Sequence, residues 1–149
     1  MRVHRFQSET WLPLPPEELF PFFADAANLN AITPPWLHFK EVTRGPIEMR
    51  AGAMIDYKLR VRGLPLRWRT RINLWEPPHR FVDEQVRGPY RLWIHEHTFE
   101  ARDGGTLARD EVWYAVPLDF LTPARWVRPD VERIFAYRER ALKKRFLNQ

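Results

Sequence analysis

Between residues 55 and 74 apolar and charged side chains alternate one for one. Ile55, Tyr57, Leu59 and Val61 are interleaved with Asp56, Lys58, Arg60 and Arg62; after a turn at Gly63-Leu64-Pro65 the series resumes as Leu66, Trp68, Thr70, Ile72 and Leu74 against Arg67, Arg69, Arg71 and Asn73. A period of two belongs to a strand and not to a helix, so this segment reads as a hairpin with one apolar and one cationic face. The apolar face needs a cover, which the rest of the chain must supply.

The same reading extends downstream. Pro77-Pro78-His79, Arg87-Gly88-Pro89 and Asp103-Gly104-Gly105 are turn signals that separate strands near 80–86, 90–101 and 106–116. A strand over 3–11 and a short one over His38–Arg44 precede the hairpin. Pro15-Pro16-Glu17-Glu18 places prolines and acids where a helix N-terminus favours them, giving a helix to about Ala24. A further turn or two over Asn28–Ile32 is stopped by Thr33-Pro34-Pro35. Pro129-Asp130 opens a last helix to about Leu147, with Asp130 and Glu132 in its first turn and Val131, Ile134, Phe135, Leu142 and Phe146 mostly on one stripe. The order predicts an α+β fold: a curved antiparallel sheet of about six to seven strands wrapped around a long C-terminal helix, with two short helices after the first strand.

The 149 residues contain no repeat or linker and read as one domain spanning 1–149. With 44% hydrophobic residues, a core forms without staples; the absence of Cys excludes disulfides, zinc-thiolate sites and cysteine nucleophiles. Neither a membrane span nor the apolar stretch of a signal peptide is present, which predicts a soluble, cytoplasmic protein. The formal charge of +5 raises nucleic acid or an anionic surface as a partner. The 20 arginines and four lysines are, however, mixed with acids along the whole chain, and no nucleic acid is expected.

Parity then sorts the strands. If the arginines face outward, Phe81, Asp83 and Gln85, then Trp93, His95, His97 and Phe99, then Asp110, Val112 and Tyr114 face inward. Glu84, Glu96 and Glu111 face outward, toward the arginines. The inner face thereby collects Asp83, Gln85, His95, His97, Asp110, Thr70 and Tyr114 among Tyr57, Trp68, Phe81 and Trp93, an apolar pocket with a few convergent polar groups. Phe135 and Arg138 join them from the last helix. Arg138, which interrupts the apolar stripe, meets a carboxylate or phosphate head group, snorkels to solvent, or pairs with a buried acid.

The order of elements and several words in the sequence resemble the SRPBCC superfamily, the helix-grip fold of START domains, birch-pollen-allergen-like proteins and polyketide cyclases. The words are Pro16-Glu17-Glu18-Leu19-Phe20-Pro21-Phe22-Phe23, Asn28-Leu29, Ile32-Thr33-Pro34-Pro35-Trp36-Leu37, Trp75-Glu76-Pro77-Pro78, Phe81-Val82-Asp83-Glu84-Gln85 and Gly88-Pro89. They are similar to those of a bacterial subgroup of cyclase/dehydrase-like or ligand-binding proteins. The resemblance covers essentially the whole chain and implies a deep cavity between sheet and helix for a hydrophobic small molecule: lipid, isoprenoid or polyketide-like. It implies no cofactor and no metal.

Three readings follow. The first is a binding or carrier module for that ligand. The second is a cyclase or dehydratase using His95 or His97 with Asp83 or Asp110 as a proton-transfer dyad; no nucleophile elbow, phosphate loop or metalloprotease motif offers other chemistry. The same His-x-His pair with one Asp also has the donor types of a metal site, a weak signal beside the reading of two satisfied polar residues. The third is an interaction module docking an acidic partner or RNA through the arginine-rich face. The loop 118–127, which carries Phe120, Leu121 and Trp126, packs over the cavity entrance in the plainer reading, or acts as a gate or a transient membrane-touching edge.

Overall fold

The computed structural model describes residues 1–117 and 124–147, without the side chains of 124–126. Seven strands form one antiparallel sheet: β1 (His4–Leu12), β2 (Lys40–Glu41), β3 (Met54–Val61), β4 (Leu64–Glu76), β5 (Arg80–Arg87), β6 (Leu92–Arg102) and β7 (Gly105–Ala115). Their order is β1-β7-β6-β5-β4-β3-β2, so every strand from β2 to β7 lies beside its sequence neighbour and β1 closes on β7. Helix α1 (Pro16–Ala24) and two 3-10 helices, Ala26–Ile32 and Pro35–Leu37, bridge β1 to β2, and α2 (Ala124–Leu147) ends the described chain. This is the helix-grip arrangement that the sequence predicts. No described helix is long and apolar enough to cross a membrane.

The covering helix reads sequence directly into packing. Val131, Phe135, Arg138 and Leu142 recur at helical spacing and are all buried. Val131 and Phe135 pack with Trp93, Val112 and Tyr114. Leu142 packs with Leu12, Phe20, Phe81 and Phe99. Arg138 falls between these two apolar clusters, which sets a buried guanidinium against the middle of the sheet.

Local geometry corrects four boundaries. α2 begins at Ala124 and not at Pro129, so Pro129 lies inside the helix, and Asp130 and Glu132 lie beyond its first turn. There Asp130 pairs with Arg62 at 3.0 Å and Glu132 with Arg128 at 3.0 Å. The β3–β4 reversal is made by Arg62 (φ 51°) and Gly63 (φ 81°), both left-handed, as two-residue hairpin turns require; Leu64 and Pro65 therefore belong to β4. The strand expected over His38–Arg44 shrinks to Lys40–Glu41. His38 is left-handed (φ 47°), and at the other end the Asp56 amide donates to the Thr43 hydroxyl at 2.7 Å, which replaces the next ladder contact.

The fourth correction is a bulge. The register of β4 on β5 slips between Ile72↔Asp83 and Leu74↔Val82, leaving Asn73 unpaired. One extra residue reverses which face each following side chain takes. Leu74, expected inward, pairs with the outward Val82, and Trp75 turns inward onto Phe20 and Phe81, at ring distances of 5.1 and 5.4 Å. Phe120, Leu121 and the side chain of Trp126, from the loop expected at the cavity entrance, lie outside the described residues.

Candidate functional site

Parity holds on β5, β6 and β7 at the residues that matter. His95↔Val112 and His97↔Asp110 pair across β6 and β7, and Asp83↔His95 and Phe81↔His97 pair across β5 and β6. Two histidines at i and i+2 project from one face of a strand, and the flanking strands supply one inward carboxylate each. The outcome is a buried polar chain. Asp110 Oδ1 accepts from His95 Nε2 at 2.7 Å, His97 Nε2 donates to Asp83 Oδ2 at 2.6 Å, and Arg138 Nη2 lies 3.4 Å from both His97 Nδ1 and Asp110 Oδ1. Since a guanidinium only donates, Nδ1 of His97 accepts and the proton of the neutral ring sits on Nε2.

The rings are stacked like tiles. His95 lies 3.6 Å from His97, and His97 lies 3.9 Å from Phe81, centroid to centroid. Burial in this apolar stack, with His95 and Arg138 adding positive charge, holds the His97 imidazole well below its ordinary value. Burial pushes the Asp83 carboxyl up, against the pull of His95 and Arg138. For Asp110 burial also pushes up, but Arg138 and the hydrogen bond to His95 together outweigh it and hold the carboxyl below the usual carboxylate range.

These directions fix the pH dependence of stability. His97 stays neutral when folded, so its contribution is present above about pH 6.5 and is lost below it, at about 1.4 kcal/mol per pH unit. Asp83 acts in the opposite sense: its raised carboxyl stabilises the fold at low pH, and that contribution is lost as pH rises from 3.8 through the folded value. Asp110, with a lowered carboxyl, stabilises above about 3.8 and is lost below it. Asp83→Asn removes the offsetting contribution. Denaturant titrations between pH 4 and 7 should show a steeper acid loss in the variant than in the parent; parallel profiles would refute the assignment.

The cavity lies between this chain of polar groups, α1, the first 3-10 helix and the inner faces of β3 and β4. Its volume is about 80 Å³. Phe22, Phe23, Leu29, Ile55, Ile72 and Phe81 make most of its wall, and Tyr57, Thr70, Asp83, His97 and Arg138 supply polar groups. Tyr57, Thr70, Phe81, Asp83, His97 and Arg138, all candidates from the sequence, thus line one cavity.

The other candidates are placed elsewhere. Trp68, Trp93, Tyr114 and Phe135 belong to the aromatic cluster at the far end of α2. His95 is screened from the cavity by His97, and Asp110 borders a second, much smaller hollow beside Thr10, Phe23 and Leu142. Gln85 faces inward but serves the β5–β6 turn: its amide accepts from Tyr90 N at 3.0 Å and donates to Tyr90 O at 2.7 Å. A Cβ on Gly88 would come within 2.5 Å of Gln85 Oε1, so only glycine leaves room for that clamp. Gly88→Ala should lower stability by about 1–2 kcal/mol in a denaturant titration; an unchanged midpoint would show that the clamp contributes nothing.

Sequence reasoning missed the cavity wall from α1 and the first 3-10 helix, Phe22, Phe23 and Leu29. Their apolar spacing was visible, but nothing local tells a core contact from a cavity lining. Conversely, the outward glutamates meet arginines as expected: Arg71 pairs with Glu84 at 3.1 Å, Arg80 with Glu96 at 3.9 Å, and Arg5 with Glu111.

Asp83, His95 and His97 each place one donor atom within 4.8 Å of the others. The arrangement does not suit a metal ion. The imidazole faces are stacked, so their lone pairs do not converge, and the Arg138 guanidinium already brings a cation to this cluster, 3.4 Å from Asp110 and His97.

Comparison with known proteins agrees with the architecture. The aromatase/cyclase ZhuI from Streptomyces sp. R1128 superposes with a TM-score of 0.76 at 15% identity, over 95% of this chain and 92% of that one. Ara h 8.0201 gives 0.72 at 19% identity, over 99% and 100%, and major latex-like protein 151 from Panax ginseng gives 0.69 at 10% identity, over 97% of each. Identities this low establish a shared fold and nothing finer. None of the curated proteins matches the chain in sequence. The family model described as polyketide cyclase / dehydrase and lipid transport matches residues 12–143. By that match over nearly its whole length, the chain belongs to the polyketide cyclase / dehydrase and lipid transport family, within the SRPBCC superfamily.

Proposed function

We propose that this protein binds a compact, largely apolar small molecule carrying at least one polar oxygen. One observation carries the reading: the cavity wall is mainly aromatic and aliphatic, and its polar groups include a hydrogen-bonded Asp83–His97–Arg138 chain. Such a wall fixes the orientation of a ligand whose affinity comes from the apolar side. Charge also narrows the ligand. Arg138 is balanced by Asp110, and Asp83 faces the cavity, so nothing is left to compensate a carboxylate or phosphate; a neutral ketone or phenol suits the site better than the anionic head group considered from the sequence. The cavity volume favours a ring-sized body over an extended acyl chain.

Native mass spectrometry of the purified protein, followed by titration of 2-naphthol, 2-naphthoate and palmitate, tests this. Saturable binding of naphthol, weaker binding of naphthoate and none of palmitate is the expected order. Preference for palmitate would sink the compact-ligand reading.

A second reading is proton-transfer catalysis of the cyclase or dehydratase type on the bound molecule. It is favoured by His97, a neutral imidazole at the cavity wall, standing 2.6 Å from an Asp83 carboxyl that takes up a proton more readily than usual. His97→Ala would then abolish a pH-dependent turnover while leaving naphthol binding within a few-fold; a carrier would show no turnover to lose.

A further inference from the structure

The outer face of the sheet divides into two regions. In one, cations have partners: Arg69 meets Asp56 at 2.8 Å, Arg71 meets Glu84 at 3.1 Å and Arg109 meets Glu9 at 2.9 Å. In the other they have none. Lys40, Lys58, Arg60, Arg67 and Arg87 are exposed and form no ion pair among the described residues. The strand register aligns these cations. Lys40 stands opposite Lys58 and Lys58 opposite Arg67, while Arg87 stands opposite Arg69, whose charge Asp56 already meets. Like charges directly across a ladder destabilise a sheet, so the isolated chain carries an electrostatic cost that an opposing anionic surface would relieve.

The region ends at the β3–β4 hairpin, where Arg62-Gly63 turns the chain and Leu64 is 67% exposed. Arg60 and Arg67 lie within three register positions of the tip. Leu64 pairs with Val61 and stands on the apolar side of the hairpin, away from these cations, so the signal this face offers is electrostatic attraction to anionic head groups. Nucleic acid fits less well: no aromatic side chain stands on this face of β2, β3 or β4 to stack a base.

The geometry points to an anionic phospholipid surface as the partner of this face, with Lys40, Lys58, Arg60, Arg67 and Arg87 over the head groups. The inference does not depend on what the cavity holds. It is separate from the loop 118–127 expected from the sequence, most of which lies outside the described residues.

Co-sedimentation of the full chain with vesicles tests it, comparing phosphatidylcholine alone with phosphatidylcholine plus phosphatidylglycerol. Binding only to the anionic vesicles, weakened by added salt, is expected. Lys58→Ala and Arg67→Ala should each cost about fivefold in affinity, and Leu64→Ser, on the other side of the hairpin, should leave it unchanged. Because these residues are exposed and Lys58 and Arg67 repel one another, the double variant should melt no lower than the parent, which separates lost binding from lost folding. Arg102→Glu, at the opposite end of the sheet, should change nothing. Absence of binding to anionic vesicles would overturn the proposal. So would Lys58 and Arg67 variants that bind like the parent, or displacement of the protein from vesicles by duplex RNA at equal phosphate.

Discussion

Arg138→Met should lower the stability of this protein by about 3–5 kcal/mol, with the loss visible as a large drop in urea midpoint. Arg138 is 8% exposed, and its guanidinium lies 3.4 Å from Asp110, whose carboxyl it helps to keep ionised. Removing the guanidinium leaves a buried carboxylate with only imidazoles for company, and the penalty is that of an uncompensated charge, not of a lost contact. The companion variant follows from the same argument. Arg138→Met with Asp110→Asn removes both charges and should recover most of the loss, because replacing a whole buried pair by neutral groups of similar size is often close to neutral. A double variant as unstable as the single one would mean that packing, such as the contact of Arg138 over the Phe23 ring at 5.5 Å, matters more than charge. For a domain whose total stability is of the order of 5–15 kcal/mol, the single substitution approaches the limit of folding.

The second large effect is expected at Phe81. Its ring stacks on His97 at 3.9 Å, meets Trp75 at 5.4 Å and Phe20 at 5.9 Å, and also forms part of the cavity wall. Phe81→Ala should cost about 3–5 kcal/mol, through lost burial and through a void that the neighbouring rings cannot fill. Phe81→Leu keeps most of the volume and should cost under about 1.5 kcal/mol while enlarging the cavity. The pair separates structure from binding. If Phe81 orients a ring-sized ligand by stacking, the leucine variant folds normally yet binds 2-naphthol more weakly, as isothermal titration would show. Equal binding by the leucine variant would confine Phe81 to the core.

The two effects share a cause. The middle of the sheet holds a chain of polar groups where a core of this size would ordinarily be apolar, and each member is satisfied by residues from different elements: β5 for Asp83, β6 for the histidines, β7 for Asp110 and α2 for Arg138. A fully connected buried network is tolerated because every charge has a partner, and it fails steeply when one is withdrawn. Among the described residues, the Arg138 Nε, buried without a partner, is the one exception within the network. The same connectivity makes His97 a neutral acceptor toward Arg138 and a donor toward Asp83, the arrangement on which both the binding and the proton-transfer readings rest.

How much of this was legible in the sequence depends on distance along the chain. Alternation is a property of adjacent residues, so the inward set Trp93, His95, His97 and Phe99, and the outward glutamates that meet Arg71, Arg80 and Arg5, follow from a period of two and a choice of face. The cationic outer face and the buried stripe of α2 are local in the same sense. Which inward polar residues reach a cavity is not local. His95 and His97 are two positions apart on one face, yet only His97 lines the cavity, because α2 brings Arg138 against it while Asp110 holds His95 behind. The unpaired Asn73 reverses Leu74 and Trp75, and left-handed His38 shortens a strand, through single-residue events that no period reports. Sequence alone therefore determined the elements, their faces and the family, since these depend on spacing. Register slips, the crossing of the helix and the partners of buried charges were decided only by the tertiary structure, because they depend on contacts between residues far apart in the chain.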